Sequence, residues 1–222
     1  MNLLKSLLLS CSLFVLAAQS SYAQEKPAYW NDIQTIKAYD GIYTPPHNPI
    51  LFIGSSSIRL WVDFEKAFPG YTVLNRAIGG AVTNDVDRYL QDIVYPYQPK
   101  QIVIYVGEND LIKAPDGETV LNDFKRLFTD LRSKLPLTPI VYISIKASPS
   151  RAQYLDKAKK ANQLIELFLK TDKNATYVDV YKPMLDKDGH MRPELFKEDM
   201  LHMNAKGYEI WNKLLKPHLL KD

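Results

Sequence analysis

The residues of this sequence best suited to covalent chemistry are serines in a short turn and a histidine far along the chain. Residues 54–57 read Gly-Ser-Ser-Ser, and Asp199 stands three residues before His202. A serine hydroxyl needs a base to accept its proton as it attacks a carbonyl carbon, and a histidine oriented by a carboxylate is such a base. One of these serines could therefore form an acyl-transfer site with Asp199 and His202, although serines before helices commonly act only as N-caps.

Two further polar turns contain candidate residues. Residues 75–80, Asn-Arg-Ala-Ile-Gly-Gly, follow one short apolar run, and residues 107–110, Gly-Glu-Asn-Asp, follow another. Both segments are also typical of ordinary turns, where glycine, asparagine and aspartate are common. Backbone N–H groups and side-chain amides can stabilise a negative oxygen, so both turns are candidates for the same site.

Five short apolar runs alternate with longer segments of helical periodicity. The runs predict strands at residues 49–53, 72–74, 102–106, 140–143 and 176–180, and the periodicity predicts helices at residues 58–68, 84–95, 118–135, 154–170 and 205–215. Continuous apolar strands separated by amphipathic helices indicate a parallel sheet covered on both faces. The sequence therefore predicts an α/β fold, a three-layer α/β/α sandwich with a flavodoxin-like sheet of about five strands.

This fold would bring the polar turns together. In open parallel sheets, ligands bind outside the carboxyl ends of the strands. The serine turn and the other two polar turns each follow a predicted strand, so we expect all three at that edge. Asp199 and His202 precede the last predicted helix, and their spacing lets both side chains project from one short loop toward the same edge.

Residues 1–23 are typical of a secretory signal peptide. They contain one positive charge at Lys5, an apolar run at residues 7–18 and small residues up to a cleavage point near Ala23. A permanent span would need about 20 apolar residues. A lipoprotein signal at Cys11 would need the apolar run to end at that cysteine, but the run continues to residue 18. A permanent span and a lipoprotein signal are therefore weaker interpretations than a cleaved signal peptide. We expect an exported protein, periplasmic or secreted, with a lead-in at residues 24–48, non-helical at 43–48, and a single domain at residues 49–222.

Composition and charge exclude several classes of function. The 222 residues include 28 Lys and Arg, 25 Asp and Glu, and one cysteine, with a net charge of +3. Removal of residues 1–23 would leave a net charge of +2 and no thiol. So small a charge argues against nucleic acid as a partner, and isolated histidines without cysteine clusters argue against a metal centre. We expect no cofactor and no stable membrane span, and no feature of the sequence indicates an oligomeric state.

Four polar blocks occur in the order found in the SGNH hydrolase superfamily, which includes GDSL-like lipases and acylhydrolases. The sequence resembles this family from residue 50 to the last helix, and the four blocks fall on Ser56, Gly80, Asn109 and His202. The sequence departs from the family at Ser55, where the family usually has aspartate.

The resemblance implies a role for each block. Ser56 would be the nucleophile, in preference to the serines on either side of it. His202 would be the general base and Asp199 the acid that orients it. The backbone N–H groups of Ser56 and Gly80 and the side-chain amide of Asn109 would form the oxyanion hole.

Three basic residues near the expected edge are candidates for substrate binding. Arg59 follows the serine turn by one helical turn, and Lys146 and Arg151 follow the fourth predicted strand. The alternatives are a surface position for Arg59 and a solvated loop for the other two.

The function expected from the resemblance is that of an exported serine esterase acting through an acyl-enzyme intermediate. Its substrate would be a small-molecule or carbohydrate ester with a short acyl group, acetyl above all. The alternatives are a lysophospholipase or platelet-activating-factor-acetylhydrolase-like lipid esterase, acyl transfer to a sugar hydroxyl, and a non-catalytic carbohydrate-binding module.

Overall fold

Five short parallel strands form the centre of the computed structural model, which describes residues 26–221. The strands are β1 Ile50–Gly54, β2 Val73–Asn75, β3 Gln101–Tyr105, β4 Ile140–Ile143 and β5 Ala175–Val178. They lie in the order β2-β1-β3-β4-β5, and every neighbouring pair is parallel. The prediction of a flavodoxin-like parallel sheet is confirmed. The expected leader and its cleavage point near Ala23 lie outside the described residues.

The described residues also form eight α-helices. They are α1 Trp30–Ile42, α2 Ser56–Arg59, α3 Phe64–Ala67, α4 Thr83–Arg88, α5 Leu90–Ile93, α6 Gly117–Lys134, α7 Leu155–Leu169 and α8 Ala205–Leu215.

These helices cover both faces of the sheet. Successive side chains of a strand point to opposite faces. Leu51 and Ile53 of β1 therefore pack against α1 and α4 to α7, whereas Ile50 and Phe52 pack against α2, α3 and α8. All five residues of β1 and of β3 are buried, which explains why these strands are continuous apolar runs in the sequence. The three-layer arrangement agrees with the prediction.

Two of the predicted helices are each divided into two short ones. The segment predicted at 58–68 overlaps the end of α2 and contains α3, and Asp63 before α3 has a left-handed φ of 54° that a continuous helix does not allow. The segment predicted at 84–95 contains α4 and α5, which are separated at Tyr89. The predicted helices at 118–135, 154–170 and 205–215 agree with α6, α7 and α8.

Helix α1 lies within the segment expected to be a lead-in, where no helix is predicted. It buries only Ile33, so it lacks the apolar stripe on which a helix prediction depends. Residues 43–48, which follow α1, are non-helical as predicted. Between residues 26 and 221, no helix has both the length and the apolar character needed to cross a bilayer.

Candidate active site

The serine turn begins at Gly54, the last residue of β1. Gly54 has a φ of 130°, and a Cβ at this position would lie 1.8 Å from the carbonyl oxygen of Tyr105 on β3. Only glycine fits so close to the neighbouring backbone. The N–H of Ser55 donates to the same carbonyl oxygen at 3.0 Å, and the next residue, Ser56, begins α2. Ser56 therefore lies just beyond the carboxyl end of β1, where the sequence predicts it.

Ser56, His202 and Asp199 form a continuous series of hydrogen-bonded side chains. The Oγ of Ser56 lies 2.9 Å from Nε2 of His202, and Nδ1 of His202 lies 2.6 Å from Oδ2 of Asp199. The structure thus brings together three side chains that are up to 146 residues apart in the sequence. This is the arrangement of a nucleophile, a base and an orienting acid.

The carboxylate of Asp199 is held in its ionised form. Desolvation by itself would raise its pKa, but hydrogen bonds from the His202 side chain and from the backbone N–H groups of His202 and Leu201 outweigh that effect and lower the pKa to about 2. The two N–H groups both donate to Oδ1 at 2.9 Å, which leaves Oδ2 for the imidazole. The carboxylate can therefore fix the tautomer of His202 and stabilise its protonated form.

Backbone contacts hold the loop that carries Asp199 and His202. The N–H of Lys197 donates to the carbonyl oxygen of His202 at 2.8 Å. The N–H of Ser150, in the segment after β4, donates to the carbonyl oxygen of Met200 at 3.0 Å. The side chain of Asn204 caps α8 directly after the loop. Because both ends of the loop are anchored, the positions of its two functional side chains are restricted.

Gly80 and Asn109 lie in adjoining turns. The side-chain amide of Asn109 donates one hydrogen bond to the carbonyl oxygen of Ala81 at 3.1 Å, so its second amide hydrogen remains available. Gly80 is exposed and has a φ of 81°. Within residues 26–221, the backbone N–H groups of Ser56 and Gly80 donate no hydrogen bond to another residue. Donors suited to a negative oxygen are thus present in the three turns where the sequence predicts them.

Lys146 is not a substrate contact, and the expectation for this residue is wrong. Its side chain is completely buried, and its ammonium group pairs with the carboxylate of Glu108, which also accepts hydrogen bonds from Ser148 and Tyr105. Burial lowers the pKa of Lys146, and attraction to Glu108 opposes that shift. The alternative of a solvated loop fits only the later part of this segment, because Ser148 is also buried, whereas Ser150 is exposed and Arg151 is half-buried.

The Glu108 network is a part of the site that the sequence analysis missed. Glu108 directly precedes Asn109, and Lys146 and Ser148 belong to the segment that also contacts the His202 loop. The available signal was the opposite charge of Glu108 and Lys146, which follow the neighbouring strands β3 and β4. The network therefore joins the turns after β3 and β4 beneath the edge of the sheet.

The other two basic candidates remain near the site. Arg59 is exposed, and a Cβ on Gly79 would lie 3.9 Å from its Cγ, so it flanks the turn that contains Gly80. Arg151 is half-buried, and its Nε has no hydrogen-bond partner within residues 26–221.

One exposed cluster elsewhere brings together atoms that metal ions can bind. Ligand atoms of Asp186, Asp188 and His190 lie within 4.8 Å of one another. Oδ1 of Asp186 accepts hydrogen bonds from the backbone N–H groups of Asp188 and His190, so the carboxylate already stabilises the turn.

Comparisons with known proteins agree with the fold. The family model for the GDSL-like lipase/acylhydrolase family matches residues 55–210. A structure from Streptococcus pneumonia, named as a platelet activating factor, is 25% identical, with a TM-score of 0.74 and coverage of 86% of this chain and 92% of that one. A GDSL-like lipase from Bacteroides thetaiotaomicron is 20% identical, with a TM-score of 0.70 and coverage of 84% and 96%. A protein from Bacteroides fragilis named as an acylhydrolase is 18% identical, with a TM-score of 0.73 and coverage of 85% and 96%. No protein of curated function matches this chain in sequence.

Proposed function

Because this chain belongs to the GDSL-like lipase/acylhydrolase family, we propose that it is an exported serine esterase that removes short acyl groups, acetyl above all, from carbohydrate. The observation that carries the proposal is the hydrogen-bonded series of Asp199, His202 and Ser56 beyond the carboxyl ends of the strands. A helix cap or a surface ion pair would need no such series.

In the proposed reaction, Nε2 of His202 accepts the hydroxyl proton while Oγ of Ser56 attacks the ester carbonyl carbon. The protonated imidazole then donates that proton to the oxygen of the leaving alcohol, and the acyl group stays on Ser56. Water then attacks the acyl carbon while Nε2 of His202 accepts its proton, and the imidazolium returns that proton to Oγ of Ser56 as the carboxylic acid leaves. Asp199, ionised because its pKa is about 2, stabilises the positive imidazolium in both halves of the reaction.

The oxyanion hole proposed for the tetrahedral intermediate contains three donors. They are the backbone N–H groups of Ser56 and Gly80 and the second amide hydrogen of Asn109. All three are free of acceptors within the described chain, so they can bind the negative oxygen without first breaking a protein hydrogen bond.

A short acyl group and a hydroxyl-rich alcohol fit the surroundings of Ser56. A polar groove of about 620 Å³ has Arg59, one helical turn from Ser56, in its lining. An apolar groove of about 590 Å³ lies between α3 and α8, and neither groove has Ser56, Gly80 or Asn109 in its lining. The polar side chains that line the groove with Arg59 support a carbohydrate ester.

A lipid esterase is the second candidate, and the apolar groove is the observation that favours it. Met203, which directly follows His202, lines this groove together with Trp61, Val62 and Tyr208. A long acyl chain could be buried there. The similarity to the structure named as a platelet activating factor, at 25% identity, agrees with this alternative.

Labelling with a fluorophosphonate probe tests the proposed nucleophile. We expect the probe to modify the folded wild-type protein and the Ser57→Ala variant, but not the Ser56→Ala variant. Ser57 is the matched control because its buried Oγ has no hydrogen-bond partner within residues 26–221, so its removal costs no hydrogen bond. Lack of labelling in the wild-type protein would favour a non-catalytic carbohydrate-binding module instead.

The substrate class is tested by comparing acetate release from acetylated xylan with hydrolysis of p-nitrophenyl esters from acetate to dodecanoate. We expect acetate release from xylan and a kcat/KM that falls as the acyl chain lengthens. A rise in kcat/KM toward dodecanoate would contradict the short-acyl proposal and support the lipid esterase.

A further inference from the structure

The polar groove beside Ser56 has a wall that the family model does not cover. We call this groove the α1 groove. It is lined by Asn31, Asp32, Thr35 and Tyr39 of α1, by Arg59 and Trp61, and by residues 75–77 at the end of β2. The family match begins at residue 55, so α1 lies before the matched region.

The α1 groove lies beside the candidate active site. Arg59 lies one helical turn from Ser56 and against the Gly79 turn. At the start of α1, the hydroxyl of Tyr29 would lie 3.4 Å from a Cβ on Gly80. A ligand whose ester reaches Ser56 can therefore extend its alcohol portion beside α1.

Polar contacts hold α1 in place although it buries little apolar surface. The hydroxyl of Tyr89 donates to the carbonyl oxygen of Ala28 at 2.6 Å, just before the helix. Lys37 pairs with Asp92 at 3.0 Å, and near the end of the helix Asp40 binds Arg76 and Tyr97. The wall is thus pre-organised, which lowers the entropic cost of binding a ligand against it.

The groove offers uncommitted polar groups with balanced charge. Asp32 and Arg59 form no ion pair within residues 26–221, whereas the charge of Arg76 is already neutralised by Asp40. One free negative and one free positive group favour a neutral ligand rich in hydroxyls over an anion. A phosphate headgroup would be repelled by Asp32 and would find no cluster of free cations.

Tyr39 gives the groove an aromatic surface. Its side chain is 59% exposed, and its ring stacks on that of Tyr43 with centroids 6.3 Å apart. An exposed tyrosine ring presents a flat apolar face at little cost in conformational freedom, because its side chain has only two χ angles. The apolar face of a sugar ring is complementary to such a surface, while the hydroxyls at its rim reach polar side chains.

We propose that the α1 groove binds the carbohydrate portion of the ester, with Tyr39 stacking on a sugar ring and with Asp32 and Arg59 hydrogen-bonding its hydroxyls. This inference rests on the proposed function, because it identifies the alcohol portion of the ester that the proposed esterase would cleave. It assigns substrate selection to a helix outside the region matched by the family model.

The test measures binding separately from catalysis. Acetylated xylo-oligosaccharides are titrated by calorimetry into Ser56→Ala, Ser56→Ala/Tyr39→Ala and Ser56→Ala/Ile42→Ala. Ile42 is the control because it lies on the same helix, is 72% exposed and does not line the groove. We expect Tyr39→Ala to raise the Kd about 10-fold and Ile42→Ala to leave it unchanged. In the background with Ser56 intact, Tyr39→Ala should reduce kcat/KM more for acetylated xylan than for p-nitrophenyl acetate.

An equal Kd for the Tyr39→Ala and Ile42→Ala proteins would overturn the inference, and so would the absence of binding to the Ser56→Ala protein. A third outcome is that binding depends on Tyr39 but the wild-type protein releases no acetate and does not react with a fluorophosphonate. That outcome would support carbohydrate binding in the α1 groove and refute the proposed esterase. The two proposals can therefore fail independently.

Discussion

Replacement of Lys146 by methionine should lower the free energy of unfolding by about 3–5 kcal/mol, the usual cost of removing one partner of a buried ion pair. The side chains of Lys146 and Glu108 are 0% and 4% exposed, so water cannot replace the lost ammonium group. Glu108 would keep its hydrogen bonds from Tyr105 and Ser148 but would lose its countercharge. Methionine retains an unbranched chain, so the loss would reflect charge more than an empty cavity.

The expected loss is large enough to measure by two methods. In a protein of this length, each kcal/mol corresponds to about 2–4 °C in Tm, so the melting temperature should fall by roughly 6–20 °C. Calorimetry gives the change in Tm, and urea titration gives the free energy. Lys170→Met is the matched control, since Lys170 is 64% exposed and pairs with Glu166 at 2.8 Å. Loss of that exposed pair should cost less than about 1 kcal/mol.

A double variant separates charge from packing. Lys146→Met combined with Glu108→Gln removes both charges and should recover most of the lost stability. If Lys146→Met were no less stable than Lys170→Met, the assigned cost of an unpaired buried carboxylate would be refuted. If the double variant were as unstable as the single one, packing rather than charge would explain the loss.

Three further predictions concern the site and the leader. Asn109→Ala should lower kcat about 10²- to 10³-fold with an unchanged circular dichroism spectrum, and an unchanged kcat would remove Asn109 from the proposed oxyanion hole. Asp199→Asn should lower Tm more at about pH 5 than at about pH 2. The folded-state pKa of Asp199, about 2, lies below its ordinary value of 3.8, so its contacts stabilise the folded protein above about pH 4 and lose that effect as the pH falls. A difference in Tm that stays constant in calorimetry over this range would contradict the assigned pKa. The proposed export predicts that mass spectrometry finds Gln24 as the first residue of the mature protein, and an intact Met1 would contradict cleavage near Ala23.

The sheet was predictable because its central strands are buried on both faces. Such strands must be apolar at every position, which makes β1 and β3 visible as continuous runs. Helix α1 was not predictable in this way, because side-chain ion pairs and hydrogen bonds hold it rather than an apolar stripe. The left-handed conformation of Asp63, which ends the predicted helix after the serine turn, has no signal in the apolar pattern either.

For the site, the order of the polar blocks along the chain was informative because the carboxyl ends of parallel strands share one edge. That topology predicts that the serine turn and the loop with His202 lie at the same edge, and the resemblance to the family selects Ser56 within the turn. The order of the strands does not predict the direction in which a side chain within a loop points. Lys146 follows β4 as expected, yet it points inward, because Glu108 at the end of the neighbouring strand offers it a buried countercharge.

The glycine at the end of β1 has a consequence for how a mutational scan of this protein should be interpreted. No atom of Gly54 takes part in the proposed chemistry, yet any side chain there would collide with the backbone of Tyr105. In a scan scored by activity alone, position 54 would be as intolerant of substitution as position 56, and the two would be mistaken for one kind of residue. Scoring the abundance of folded protein in parallel would separate them. Variants at Gly54 should be lost from both measurements, whereas Ser56→Ala should remain abundant and inactive.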